Sequence, residues 1–167
     1  MNEHHLAQIN IALPLEPLTT PRLAGFVAAI DEINALADTA PGFVWRLQTE
    51  DGDATAVRAF GDDRIIVNMT VWTSPETLAD FAYRSDHAPI MRRRRDWFVP
   101  MAEAYQALWW IPAGQRPTVA DAEARLDHLR THGPTPYAFT FRHLFPSPAQ
   151  SDTTATPSLP DDLSCPA

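Results

Sequence analysis

The most unusual stretch of this sequence for the chemistry it could carry is Tyr83-Arg84-Ser85-Asp86-His87-Ala88-Pro89-Ile90-Met91-Arg92-Arg93-Arg94-Arg95-Asp96-Trp97-Phe98. Four consecutive arginines on a helix fan out at intervals of about 100°, so they cannot share one solvent-facing stripe and at least one turns inward. The apolar stripe His87, Met91, Phe98, Met101 passes through Arg94, which makes Arg94 the inward guanidinium. A buried guanidinium needs an anion, supplied either by an internal carboxylate or by the carboxylate, phenolate or enolate of a ligand. His87 can serve as a general base, as a metal or haem ligand, or as a packed structural histidine. Tyr83 and Asp86 are close enough in sequence to orient it, and Arg84 is a second cation able to hold a developing enolate.

Other constellations carry less. His128 and His132 stand at i and i+4, a metal-ligand spacing, but no Glu joins them as in zinc proteases, and two histidines suit a helix C-terminus electrostatically. His4 and His5 begin a strand and point to opposite faces, so no metal site is expected from them or elsewhere. There is no nucleophile elbow, no paired-cysteine motif and no Gly-rich loop, and six glycines make a dinucleotide fold implausible. All 13 basic residues are Arg, so Schiff-base chemistry and a P-loop lysine are excluded. The single Cys165 cannot form an internal disulfide, which fits a reducing compartment. A net charge of -8 argues against a nucleic-acid partner. No apolar run is long enough to span a bilayer, and the N-terminus lacks a cationic leader, so a cytoplasmic protein with no membrane partner is expected.

The elements that must position the arginine-rich stretch follow from periodicity and punctuation. His5–Leu13 alternates Leu6, Gln8, Asn10 with Ala7, Ile9, Ile11 and reads as a strand. Thr20 and Pro21 open a helix carrying Phe26, Ile30, Ile33 and Leu36, which Pro41-Gly42 stops. Phe43–Leu47 and Arg64–Trp72 read as neighbouring strands. Ser74-Pro75-Glu76 opens a second helix, a further helical piece runs from about Ala88 to Met101, and Tyr105–Ile111 forms a fourth strand. This strand, helix, strand, strand, helix, strand order predicts an α+β fold of ferredoxin-like type, a split βαβ unit.

Such a sheet has one helix-covered face and one bare face. Trp45, Trp72, Trp109 and Trp110 all lie on predicted strands, and neighbours Trp109 and Trp110 must point oppositely, so aromatics project from both faces. A homodimer packed sheet against sheet would bury the bare face, giving a dimeric α/β barrel with the tryptophans and Met91 as substrate-binding surface. Beyond the unit, Thr118–Asp121 opens a third helix with Ala122, Leu126 and Leu129 on one face, and Ala138–Phe145 reads as an extra strand or arm. From Pro146 the chain has five prolines, three Asp and no basic residue, so the expected division is a domain over residues 1–145 and a disordered acidic tail over 146–167.

The blocks HLAQINIA, FVWRL, VNMTVW, FAYRSDHAPIMRRRRDWF, LWWIPAGQRPTVADAEARL and HGPTPYAFTFR fall in an order that resembles a bacterial family designated domain of unknown function 3291, over roughly residues 5–142. That family is similar to the antibiotic-biosynthesis monooxygenases and haem-degrading dimeric α/β barrels. The resemblance implies a pocket between sheet and helices, used in some relatives for oxygen chemistry without a cofactor and in others for haem held by a helix histidine. Three functions are therefore expected in competition. One is an enzyme without cofactor, a monooxygenase or cyclase on an aromatic or polyketide-like substrate of secondary metabolism, with His87, Arg94 and Tyr83 catalytic. The others are a haem protein with His87 as axial ligand and a non-catalytic ligand-binding dimer.

Overall fold

The computed structural model describes residues 3–49, 55, 59–86 and 88–150. Four strands, β1 (His4–Ala12), β2 (Phe43–Arg46), β3 (Ile66–Trp72) and β4 (Gln106–Pro112), form one antiparallel sheet in the order β2-β3-β1-β4. Helices α1 (Ala24–Asp38) and α2 (Pro75–Arg84) connect β1 to β2 and β3 to β4, so the expected α+β ferredoxin-like unit is the observed one. Central β1 is buried almost throughout because it has a strand on either side and layers above and below.

Local sequence sets the starts and stops. Ser74 Oγ accepts from the Thr77 amide at 3.2 Å and Pro75 occupies the first turn of α2. Thr20 instead donates its hydroxyl to the Pro17 carbonyl at 2.8 Å, and the chain passes through a short 3-10 turn, Pro21–Leu23, before α1. Gly42 leads into β2 with φ +80, and a Cβ there would lie 2.4 Å from the Thr77 side chain, so only glycine lets β2 start this close to α2.

The stretch expected as one helix over Ala88–Met101 is two short helices, α3 (Ala88–Arg92) and α4 (Arg94–Trp97). Phe98 is extended, the Val99 amide donates to Leu13 O at 2.8 Å, and the Leu15 amide donates to Trp97 O at 2.8 Å. Pro100 disfavours helix at Val99, and pairing with the segment after β1 replaces the lost helical bonds. The expected extra strand at 138–145 is an arm: Leu108 and Phe139 exchange backbone bonds at 2.8 and 2.9 Å along the edge of β4, without a continuous ladder.

Both sheet faces are covered by this chain. On one, Leu6, Trp72 and Leu108 pack with Ala37, Leu78, Phe81, Phe139 and Phe141, while Ala12 and Ile66 pack with Leu23, Phe26, Trp97 and Phe98. On the other, Ile9, Val71 and Trp109 are buried against Ala122, Leu126 and Leu129 of α5 (Val119–His132). The bare face on which a sheet-to-sheet dimer was expected is thus covered by this chain itself, by α5 over β4 and β1 and by residues such as Leu47, Phe60 and Ile65 in the rest of the cluster, because the helix's apolar stripe and the sheet's apolar residues need the same partner.

Ser147 is buried and Pro148–Gln150 form a 3-10 turn, so ordered chain continues past Phe145; the remainder of the expected tail, 151–167, lies outside the described residues.

Candidate functional site

A cavity of about 600 Å³ opens where the end of α2, helices α3 and α4 and the segment 98–105 meet. Tyr83, Met91, Arg94, Phe98, Met101 and Tyr105 line it, and Arg92 and Arg95 complete its cationic wall. No Asp or Glu is among its lining residues. The Arg94 Cζ lies 4.4 Å from the Tyr105 ring centroid and 5.7 Å from that of Phe98, so the guanidinium is flanked by two aromatic faces. This geometry depends on the helix break: α4 restarts at Arg94, and Phe98 turns extended immediately after it. Tyr83, at the end of α2, also packs edge-on to Phe141 of the arm at 6.5 Å. The chemistry available is binding of a small anion beside aromatic rings, in a site where the guanidinium keeps its charge at any physiological pH.

The sequence-predicted residues separate into two groups. Arg94, Tyr83 and Met91 come together in this cavity, although not through one continuous helical stripe. His87 lies outside the described residues. Arg84 is exposed, pairs with Asp80 at 3.0 Å and does not line the cavity. Trp72 and Trp109 are 0% and 1% exposed on opposite faces of the sheet. Trp72 donates its indole N–H to Thr70 Oγ1 at 2.9 Å, and Trp110, half-buried, donates to the Phe145 carbonyl at 2.8 Å. Trp45 packs against the same cluster as Trp109. None of the four lines the cavity; all four are core or near-core rings.

A polar row on the sheet was missed by sequence reading. Gln8, Asn10, Thr70 and Gln106 are all buried, on the face that α1 and α2 cover. Gln8 Nε2 donates to Asn68 Oδ1 at 3.1 Å and to Thr70 Oγ1 at 2.9 Å, and Gln106 Nε2 donates to Gln8 Oε1 at 3.4 Å. Asn10 is 0% exposed, and neither its Nδ2 nor its Oδ1 has a hydrogen-bond partner. A buried carboxamide with both groups unmet is costly, so this row is a second polar surface suited to a ligand carbonyl, a hydroxyl or bound water. The alternation of β1 contained the signal, since Gln8 and Asn10 share one face. An alternating pattern places polar residues toward solvent by default, and only the tertiary position of α1 reverses that assignment.

His128 and His132 sit on α5 with ring centroids 4.5 Å apart, and the Nε2 of His128 is 2.8 Å from Thr135 Oγ1. Among the described residues no group of three His, Cys, Asp or Glu could hold a metal ion. No described helix is long and apolar enough to cross a membrane.

Comparison with known proteins adds the following. None of the curated proteins matches the chain. Among solved structures, SnoaB, described as a cofactor-independent oxygenase from Streptomyces nogalater, is 17% identical, covers 67% of this chain and 95% of its own, and superposes with a TM-score of 0.44. A Nitrosomonas europaea protein, provisionally assigned as an antibiotic biosynthesis monooxygenase, is 14% identical over 68% of this chain and 93% of its own, with a TM-score of 0.42. Likenesses of this size add nothing to what strand order and connectivity already show. The family match is of another kind, because it spans residues 5–155 and so takes in the sheet, both cavity helices, α5 and the arm: the chain belongs to the family described as "Domain of unknown function (DUF3291)".

Proposed function

We propose that this chain binds a small aromatic or polyketide-like anion in the cavity beside Arg94 and acts on it as a cofactor-independent monooxygenase or cyclase. The observation that carries the reading is the lining: three arginines, two tyrosines and a phenylalanine, with no Asp or Glu among the lining residues. Arg94 would hold the carboxylate or phenolate of the substrate, or an enolate where one forms, whose developing charge it stabilises more than the carbonyl it comes from. Tyr83, Phe98 and Tyr105 would stack the ring. Proton movement falls to a group at the cavity, with His87 the candidate by sequence.

The test is a titration of 1,8-dihydroxynaphthalene and benzoate against wild type and Arg94→Met, with a thermal melt of each and an oxygen electrode. Loss of binding by at least tenfold with little change in melting temperature is expected, as is oxygen uptake in wild type only; conversion without uptake identifies the cyclase branch. Unchanged binding in Arg94→Met overturns the reading. So does a drop of about 3 kcal/mol or more in stability, which would mean that the guanidinium served an internal carboxylate.

A further inference from the structure

We infer that the ligand of this cavity carries at least two negative charges, an inner one beside Arg94 and an outer one on an arm that reaches Arg92 and Arg95. This rests on the anion-binding reading of the same cavity and specifies its substrate class. The chain has a net charge of -8, so carboxylates outnumber arginines, and half of the twelve described arginines pair with one. Six do so within 4 Å: Arg22 with Glu16, Arg46 with Asp38, Arg64 with Asp62, Arg84 with Asp80, Arg93 with Asp96 and Arg130 with Glu103. Arg92 and Arg95 form no ion pair with any described carboxylate, and both line the cavity.

The contrast with Arg93 is the informative one. It lies between these two in sequence, turns away from the cavity, stacks on Trp97 with its Cζ 4.7 Å from the ring centroid, and pairs with Asp96 at 3.2 Å. Two neighbours of a neutralised arginine therefore keep their charge, and both face one space. Arg94 is half-buried between Tyr105 and Phe98, whereas Arg92 and Arg95 are exposed. The cations are graded from inside to mouth, an arrangement that a single small anion would use only in part. In an acidic protein such an opening also concentrates multiply charged anions against the surrounding field, an effect that falls with ionic strength.

Calorimetric titration of the full chain with benzoate, which has one carboxylate, and isophthalate, which has two on the same ring, tests this. Isophthalate is expected to bind about tenfold tighter at low salt, as two exposed charge contacts of modest individual strength allow. The advantage should shrink toward unity as salt is raised. Arg92→Gln/Arg95→Gln should bring isophthalate to the value benzoate has in the same variant, with a melting temperature near wild type because both side chains are exposed. Equal affinity of wild type for the two probes, or an advantage that survives in the double variant, overturns the dianion inference and leaves the anion pocket standing. Failure of both probes to bind overturns the pocket reading itself.

Discussion

Among the described residues, Asn10 alone has two buried side-chain polar atoms without a hydrogen-bond partner. Its carboxamide has no exposure and no partner, in the middle of the central strand, while its neighbours Gln8 and Asn68 are bonded to each other. A structural network would satisfy every member, so a half-satisfied one marks a place where something else binds or where stability is given up. Asn10→Leu, nearly isosteric, removes two unmet polar groups and is expected to stabilise the chain by about 1 kcal/mol or more. The melting temperature should then rise by about 2–4 °C. If the row contacts the ligand, the same variant weakens binding of the aromatic probes. A lowered melting temperature would show that the amide is satisfied in solution and that the cost assigned to it is absent.

At the scale of elements, α5 is the piece whose local chemistry is most fully specified. Thr118 Oγ1 accepts from the Asp121 amide at 3.1 Å, and Asp121 Oδ2 accepts from the Thr118 amide at 2.8 Å, which is a reciprocal capping box. At the far end Arg130 Nε donates to Ala104 O at 2.8 Å, tying α5 to the segment that borders the cavity. The Thr118 backbone and hydroxyl bonds hold the Asp121 carboxyl below the usual carboxylate range. A depressed carboxylate contributes stability above its unfolded-state pKa, and that contribution is lost as pH falls through the folded value. Asp121→Ala is expected to lower stability by about 1 kcal/mol at neutral pH. The gap from wild type should close in acid below the usual carboxylate range. A gap independent of pH would mean that the carboxylate's charge is not what caps the helix.

The cap of α5, like Ser74-Pro75 at α2, was legible because capping is written in adjacent residues. Strands β1, β3 and β4 were legible from alternation and β-branched content to within a residue or two. Arg94, Tyr83 and Met91 were found together for a partly wrong reason: the helix over 88–101 was read as continuous, whereas it breaks at Arg93 and ends at Trp97, where the chain after it pairs with the remote Leu13. The arm at 138–145 alternates like a strand, but it has only the β4 edge to pair with and makes one bridge there. What the sequence could not reveal was which layer covers which face, because that is decided by contacts far apart in the chain.

For the whole molecule, that layer assignment decides how the chain meets a second copy. A four-stranded sheet with helices on one side leaves an apolar face that a partner sheet can cover, and the tryptophans made that face look available. Here Leu126 and Leu129 of α5 pack over β4 and β1 in one buried cluster with Ile9, Val71 and Trp109, and each leucine so placed contributes about 2 kcal/mol of burial. Two copies joined through this face would first have to expel or exchange α5, losing more than the new contact returns unless α5 is reburied in the partner. Light scattering of the intact chain at micromolar concentration is therefore expected to give the mass of one chain. Leu126→Asp/Leu129→Asp should uncover the face, bind a hydrophobic dye and self-associate. A wild-type mass of two chains that falls to one chain when an engineered disulfide locks α5 to its own β4 would overturn the assignment of α5 as a cover within its own chain. If the two-chain mass instead survives with α5 locked in place, the copies meet through a surface other than this sheet face.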